Sequence, residues 1–555
     1  MEEGQVREEI NRIIAQYLLA QQGARQPYRA LDTLLTGQEY DFRRWEAGGS
    51  GRAVPAEQLQ RQLAKVNEKQ GKRKRYGVYY TPADVARYMV VNAMLALALP
   101  GQDRLFPAGE GLRRLQALPE RTRRRLALEC GVFDPTCGAA EFLLQTLYVK
   151  ARLLCPAGRP DGGQILEMLG TLHGNDIDPE STDISKLRLF LAVADGLSEG
   201  ERERAAQVLA ARFSNRDFVF SPGVWPGCEL CVGNPPYVEY SRLPVRPPGG
   251  FGNLFADVMK NALAALPPGG VFSLVVPLSY QATARMAAIR DEVRRHTDWQ
   301  AVLSFADRPD CLFAGVHQKL CLVWAHKGEG PHRLFTSHYR HWYKAERAAL
   351  FDHCPLIENP YAEDRVWPKM ANEVEQNLFA RLYTTGERPS LYDRMGEGGG
   401  APVFVNMRGT FFIKAFSFHP GSREYRAFGV EPRLRGLVLC LLNSSLYYLF
   451  WTMLSDCWHI THKELQRFAM PEMAGVDLPR FDALADQLME ELERTKRYIG
   501  TRQTEYEYKH KDCFAVLDRI DDALAAAYGL TAEQTAYVKA YDRRYRMGNG
   551  DNEGN

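Results

Sequence analysis

Long apolar runs are missing from this 555-residue chain. None approaches the ~20 residues that a membrane-spanning helix needs, so no membrane partner is expected. The amino terminus, Met1-Glu2-Glu3-Gly4-Gln5, lacks the basic-then-apolar order of a secretory signal, and a cytoplasmic location is the expectation. Cysteine offers no framework: the 11 cysteines are odd in number and scattered, which suits reduced thiols better than disulfides. Cys228 and Cys231 form a lone CxxC with no second pair at zinc-ligand spacing. Cys231 also lies inside an apolar run that reads as a strand, so no metal site is expected. Net charge is only +2, too small to mark the whole chain as a polyanion binder.

What is present is an ordinary globular composition, 45% hydrophobic and 25% charged, at a length that calls for two or three domains. Positive charge clusters locally, at Lys72-Arg73-Lys74-Arg75 and at Arg113, Arg114, Arg121, Arg123, Arg124 and Arg125; such clusters meet phosphates or simply solvate a helix face. Residues 1–74 read as a helical segment, with Ile10, Ile13, Ile14, Tyr17 and Leu18 at helical spacing, a break at Gly48-Gly49-Ser50-Gly51, and a second helix from Glu57 to Lys69. Over 75–330 short β-rich runs alternate with helical stretches: Gly131 to Phe133, Leu230 to Val232, Val271 to Val276 and Leu320 to Trp324. That alternation predicts an α/β domain with a mostly parallel sheet covered on both faces. Residues 331–478 differ in texture. Aromatic and basic residues interleave from His338 to Lys344, a strand is expected over Thr410 to Lys414, and an apolar helix from Leu437 to Leu454 is interrupted by Asn443-Ser444-Ser445. This stretch reads as an α+β domain. Residues 479–555 read as helical, with Leu484, Leu488, Leu492 and Tyr498 on an amphipathic segment.

The most chemically pointed segment is Val232-Gly233-Asn234-Pro235-Pro236-Tyr237. A strand runs into two consecutive prolines, each of which fixes φ and removes an N–H donor. Nearby carbonyls are left free to accept, Asn234 adds a side-chain acceptor, and Tyr237 adds a flat aromatic face. A rigid pair of acceptors beside a stacking surface suits the holding of an exocyclic amino group on a planar ring. The bland alternative is a proline-rich turn after a strand.

The chain resembles amino-methyltransferases of the NPPY type, and their motifs can be followed in order. Gly77-Val78-Tyr79-Tyr80-Thr81-Pro82 resembles the first cofactor motif. Phe133-Asp134-Pro135-Thr136-Cys137-Gly138-Ala139-Ala140-Glu141-Phe142 resembles the strand-turn-helix DPxCGSGxF motif, with Ala140 where the family has its second glycine. Gly174-Asn175-Asp176-Ile177-Asp178-Pro179 resembles the GxEIDP motif, and Asn215-Arg216-Asp217-Phe218 the one that follows. The resemblance implies a Rossmann-like class I methyltransferase domain over 75–330 that binds S-adenosyl-L-methionine through Tyr80, Thr81, Asp134, Gly138, Asp176, Ile177, Asp217 and Phe218. Asp176 would accept from the ribose hydroxyls, Ile177 would pack on the cofactor's adenine, and Asp217 would accept from its amino group. Asp178, before Pro179, reads better as a helix N-cap. Catalysis would fall to Asn234, Pro235, Pro236 and Tyr237, with Tyr237 and Phe313 stacking on either side of the target base.

The motif order, cofactor segments first, catalytic loop next and a long extension after, resembles the gamma arrangement of adenine-N6 DNA methyltransferases related to type I and type IIG restriction-modification methylases. It implies a site-specific enzyme acting on an adenine flipped out of double-stranded DNA, with 331–478 as the target-recognition domain and a restriction or defence-system subunit as a further partner. Arg408, Lys414, Arg423, Arg426, His462 and Lys463 are candidates for base or phosphate contacts there. Two rivals stay open: a protein-glutamine methyltransferase, since an amide is also a planar amino group, and a bifunctional restriction-modification enzyme. The segment before residue 75 shows no Asp…Glu-x-Lys nuclease site for the latter.

Overall fold

The computed structural model describes residues 8–14, 27–35, 58–59, 62–63 and 80–548, apart from 102, 224, 226, 397–398 and 502–503. The basic run 72–75, the turn residues 77–79 and most of the expected N-terminal helical segment lie outside the described residues. Within that segment Ile10, Ile13 and Ile14 share one helical stretch and are buried, as their spacing predicts.

Strands β1 (Gly131–Asp134), β2 (Leu172–Asn175), β3 (Phe213–Ser214), β4 (Cys228–Gly233) and β5 (Val271–Pro277) pair in parallel. They continue into β6 (Trp299–Phe305), β7 (Leu320–His326), β8 (Arg333–Arg340) and β9 (Ile357–Glu358) to make a nine-stranded sheet of order β3-β2-β1-β4-β5-β7-β6-β8-β9. Strand β7 runs antiparallel between β5 and β6. Every residue of β1, β5 and β6 is buried, the signature of strands covered on both faces. The cover comes from helices α1 (Ala83–Ala98), α2 (Glu141–Leu154), α3 (Pro179–Val193), α4 (Leu254–Ala265) and α5 (Ala287–His296). This is the Rossmann-like class I methyltransferase fold. Strand order turns back at β1, which has β2 on one side and β4 on the other. In such sheets a crevice opens outside the carboxyl ends of the strands at that switch point.

The sheet does not end near residue 330. Strands β8 and β9 extend it to Glu358, so the aromatic and basic residues from His338 onward begin on a sheet strand. Beyond it lies a four-stranded antiparallel sheet, β10 (Met395–Gly396), β11 (Ala401–Asn406), β12 (Ala415–Phe416) and β13 (Tyr425–Val430), in the order β10-β13-β11-β12. The expected strand at Thr410 to Lys414 is a loop joining β11 to β12. Helices α6 (Arg435–Asn443) and α7 (Ser445–Leu454) meet at 61° at the Asn-Ser-Ser break. Ser444 caps α7 by accepting from the Tyr447 N–H, while buried Asn443 donates to the Ala415 carbonyl and accepts its N–H, as a strand residue would. No single helix among the described residues is long and apolar enough to cross a membrane. Helix α8 (Leu478–Thr495) buries Leu484, Leu488 and Leu492; Tyr498 lies past its end in a short hairpin and is 70% exposed.

Candidate functional site

A cleft of about 780 Å3 opens at the switch point, and the ends of β1, β2, β3 and β4 supply its floor. Strand β1 ends in Asp134, which is buried and accepts from the Thr136 N–H at 3.1 Å. Burial pushes the Asp134 carboxyl well up, and the neighbouring Asp176 adds to the effect. The chain then turns through Gly138, whose φ of 53° is left-handed and whose N–H donates to Asp176 Oδ2 at 2.9 Å. Asp176 Oδ1 accepts from the Asp178 N–H at 3.0 Å. Backbone N–H groups thus hold both carboxylate oxygens and fix the orientation of Asp176.

Asn175, at the end of β2, ties three strand ends together. Its Nδ2 donates to the carbonyls of Pro135 and Arg216, and its Oδ1 accepts from Ser214 Oγ and the Arg216 N–H. Asp217 sits in the next turn, where its Oδ1 accepts from the Val219 and Phe220 N–H groups. Ala140 stands where the family motif has glycine and takes the left-handed conformation that glycine favours, at φ 58° and ψ 33°. An L-residue there costs roughly 1–2 kcal/mol. Its methyl is buried, and Ala139 is the neighbour that faces the cleft, so the departure strains the turn without narrowing the site.

Strand β4 delivers the Asn-Pro-Pro-Tyr loop to the same cleft. A Cβ on Gly233 would meet Asp134 Oδ1 at 2.8 Å, so any larger residue would displace the Asp134 carboxylate where β4 packs on β1 just before Asn234. Asn234 and Pro236 line the cleft, with Pro235 buried behind them. The Tyr237 hydroxyl donates to Asn234 Oδ1, with the Val275 carbonyl 3.2 Å away as a second acceptor. Tyr80, Thr81, Asp134, Gly138, Asp176, Ile177, Asp217 and Phe218 all line this one cleft. Phe313 does not. It is 1% exposed and belongs to the core, held in a tight turn whose Val316 N–H donates to the Phe313 carbonyl. Asp178 stands at the N-cap position of α3 and accepts from Ser181 Oγ.

Two apolar side chains of the cleft are unusually exposed for their size, Ile177 at 64% and Phe220 at 46%. Ile177 is expected from its motif, but Phe220 carries no motif signal. Its spacing from Asp217 could have flagged it, because Asp217 Oδ1 gathers the backbone of this very turn. Arg242, Leu243, Pro244 and Val245, from the loop after the Asn-Pro-Pro-Tyr segment, complete the wall and are likewise absent from the motifs. Exposed apolar faces beside oriented carboxylates fit a ligand with a flat ring and a diol, and S-adenosylmethionine has both.

The Arg113–Arg125 cluster sits elsewhere. Arg125 pairs with Glu229 at the start of β4, the opposite edge of the sheet from Asn234, and Arg123 donates to the carbonyls of Leu118 and Leu153. Among the candidate base readers, Arg408 pairs with Glu424 at 3.0 Å, Arg426 lies 3.0 Å from His462, and Lys463 Nζ donates to the carbonyls of Ala282 and Leu454. Lys463 thus fastens the C-terminal region to the segment after β5.

No protein-family model matches the chain, and no curated protein matches it. Among solved structures it is similar to the type IIG restriction endonuclease BpuSI, at 12% identity and a TM-score of 0.45 over 97% of this chain and 76% of that one. It is similar to the type IIL restriction-modification enzyme MmeI in complex with DNA, at 12% identity and a TM-score of 0.45 over 88% and 81%. A DrdV–DNA complex is matched at 13% identity and a TM-score of 0.39 over 66% of this chain; the chain spans only 39% of the DrdV chain.

Proposed function

We propose that the chain is an S-adenosylmethionine-dependent methyltransferase acting on the N6 amino group of an adenine flipped out of duplex DNA, as part of a restriction-modification or defence system. One observation carries the reading: the Asn-Pro-Pro-Tyr loop at the end of β4 opens onto the same cleft as all four cofactor-type motifs. Bound S-adenosylmethionine supplies an electrophilic methyl group. Tyr80, Thr81, Asp134, Gly138, Asp176, Ile177, Asp217 and Phe218 are the residues that would hold it.

The protein's own task is to make a poor nucleophile adequate. The N6 lone pair of adenine is delocalised into the ring. Fixed acceptors on both amino protons draw the nitrogen towards sp3 geometry and stabilise the positive charge that develops on it. Asn234 Oδ1 is one acceptor and a backbone carbonyl of the proline pair the other. The prolines carry no N–H to compete for either.

Labelled methyl transfer to unmethylated duplex DNA, with nucleoside analysis of the product, tests the reading. Label in N6-methyladenine supports it; label on protein glutamine instead of DNA overturns it, since a planar amide satisfies the same loop. A cofactor prediction is separate. Asp176→Ala removes a charged acceptor worth about 1.5–3 kcal/mol and should weaken S-adenosylmethionine binding roughly 10- to 100-fold by equilibrium dialysis. Unchanged affinity would remove Asp176 from the cofactor site.

A further inference from the structure

The carboxyl ends of β4, β5 and β6 and the start of β7 share one edge of the sheet. Lys319 stands immediately before β7, its carbonyl accepting from the Leu278 N–H just past β5. Strand β7 lies two strand spacings, about 10 Å, across the sheet from β4 and its Asn234. Arg308 follows β6 on the same edge and is exposed. Both cations gather on one half-buried aromatic from the C-terminal region. The Trp458 ring has Lys319 Nζ at 4.7 Å and the Arg308 guanidinium at 5.6 Å from its centroid.

Trp458 is presented by a heavily constrained turn. Cys457 before it is buried with φ at 56°, a left-handed conformation that a residue other than glycine rarely holds. The Trp458 and His459 N–H groups both donate to Asp456 Oδ1, the Gly409 N–H donates to the Trp458 carbonyl, and Arg408 bridges to His459. The charges are layered. Asp307, which pairs with Lys319 at 3.4 Å, is buried, whereas Arg308 and Arg408 face solvent. Glu424, which pairs with Arg408, is the more covered partner of that pair.

We infer that Arg308, Lys319 and Trp458 form a phosphate clamp for the DNA backbone beside the target base, with solvent-facing Arg308 as the contact and Trp458, packed on the Asp307-paired Lys319, as the positioning residue that holds it. The inference rests on the DNA-methyltransferase reading. Its support is a solvent-facing cationic layer, built from both parts of the chain, on the sheet edge that carries the catalytic loop. Backbone phosphates give salt-dependent affinity with a slope of about 0.9 per contact.

The test is fluorescence-anisotropy binding of a labelled DNA duplex across a salt series, alongside S-adenosylmethionine binding and methyl transfer. Arg308→Ala should lower the salt slope by about one, with cofactor affinity unchanged. Trp458→Ala should weaken duplex binding severalfold with S-adenosylmethionine affinity unchanged, a split that a simple folding defect would not show, and Trp458→Phe should restore most of it. Arg308 is exposed, so its variant decides the matter even if Trp458→Ala does not fold. A wild-type salt slope in Arg308→Ala, or tighter binding of an RNA duplex than of DNA, overturns the clamp. A wild-type protein that methylates protein and binds no duplex overturns the underlying reading instead.

Discussion

Asn234→Ala is expected to lose at least about 10²- to 10³-fold in the rate of methyl transfer, the usual effect of deleting one preorganised transition-state contact. Cofactor affinity should stay close to wild type. The two effects separate because of where the side chain sits. Asn234 follows the last residue of β4, whereas the groups expected to hold the cofactor come from the turns after β1, β2 and β3 and from Tyr80 and Thr81. Its Oδ1 accepts from the Tyr237 hydroxyl, which orients the amide. Tyr237→Phe would therefore leave the acceptor present but poorly oriented, and a smaller loss, about tenfold, is expected from one neutral hydrogen bond of about 1.4 kcal/mol. Single-turnover transfer of labelled methyl to duplex DNA measures both. Normal turnover by Asn234→Ala would show that the loop holds nothing in the transition state.

The cleft was legible in the sequence because each of its floor residues belongs to a short segment in which chain direction is forced. Asp134-Pro135 stops β1, Asp178-Pro179 starts α3, and Pro235-Pro236 ends β4, so strand ends and their polar residues could be placed without knowing the tertiary packing. Several features escaped for physical reasons. Phe313 sits in an apolar run that fits an exposed wall and a core turn equally well, and only the packed structure buries it. The extent of the sheet did not show because β8 and β9 add to it after a connection that looks like any interdomain link, as sheet membership is set by pairing and not by local pattern. Trp458 shows no spacing signal at all; its two cations come from segments about 140 and 150 residues away, and contacts of that range do not appear in periodicity.

Arg188→Met should destabilise the fold by about 3–5 kcal/mol, the cost of leaving a buried charge without its partner. Arg188 and Glu141 are 4% and 5% exposed at their side chains, with Arg188 Nη2 at 2.7 Å from Glu141 Oε2. The arginine also donates to the Ala139 carbonyl, and Ser185 on the same helix donates to the Gly138 carbonyl at 2.8 Å. Helix α3 thus grips the turn after β1 from behind. Glu141 accepts from the Tyr80 hydroxyl at 2.7 Å and from Gln145 at 2.8 Å, which carries the network round to the other wall of the cleft. Arg188→Met leaves the buried Glu141 carboxylate without its counter-charge and frees the turn, so chemical denaturation should show a lowered midpoint and S-adenosylmethionine binding should weaken with it. Adding Glu141→Gln removes the stranded charge. The double variant should then be more stable than Arg188→Met alone, a non-additivity expected only of residues in direct contact. If the double variant is the less stable by the full sum of the two single losses, Glu141 and Arg188 act independently and the turn is held by its backbone bonds alone.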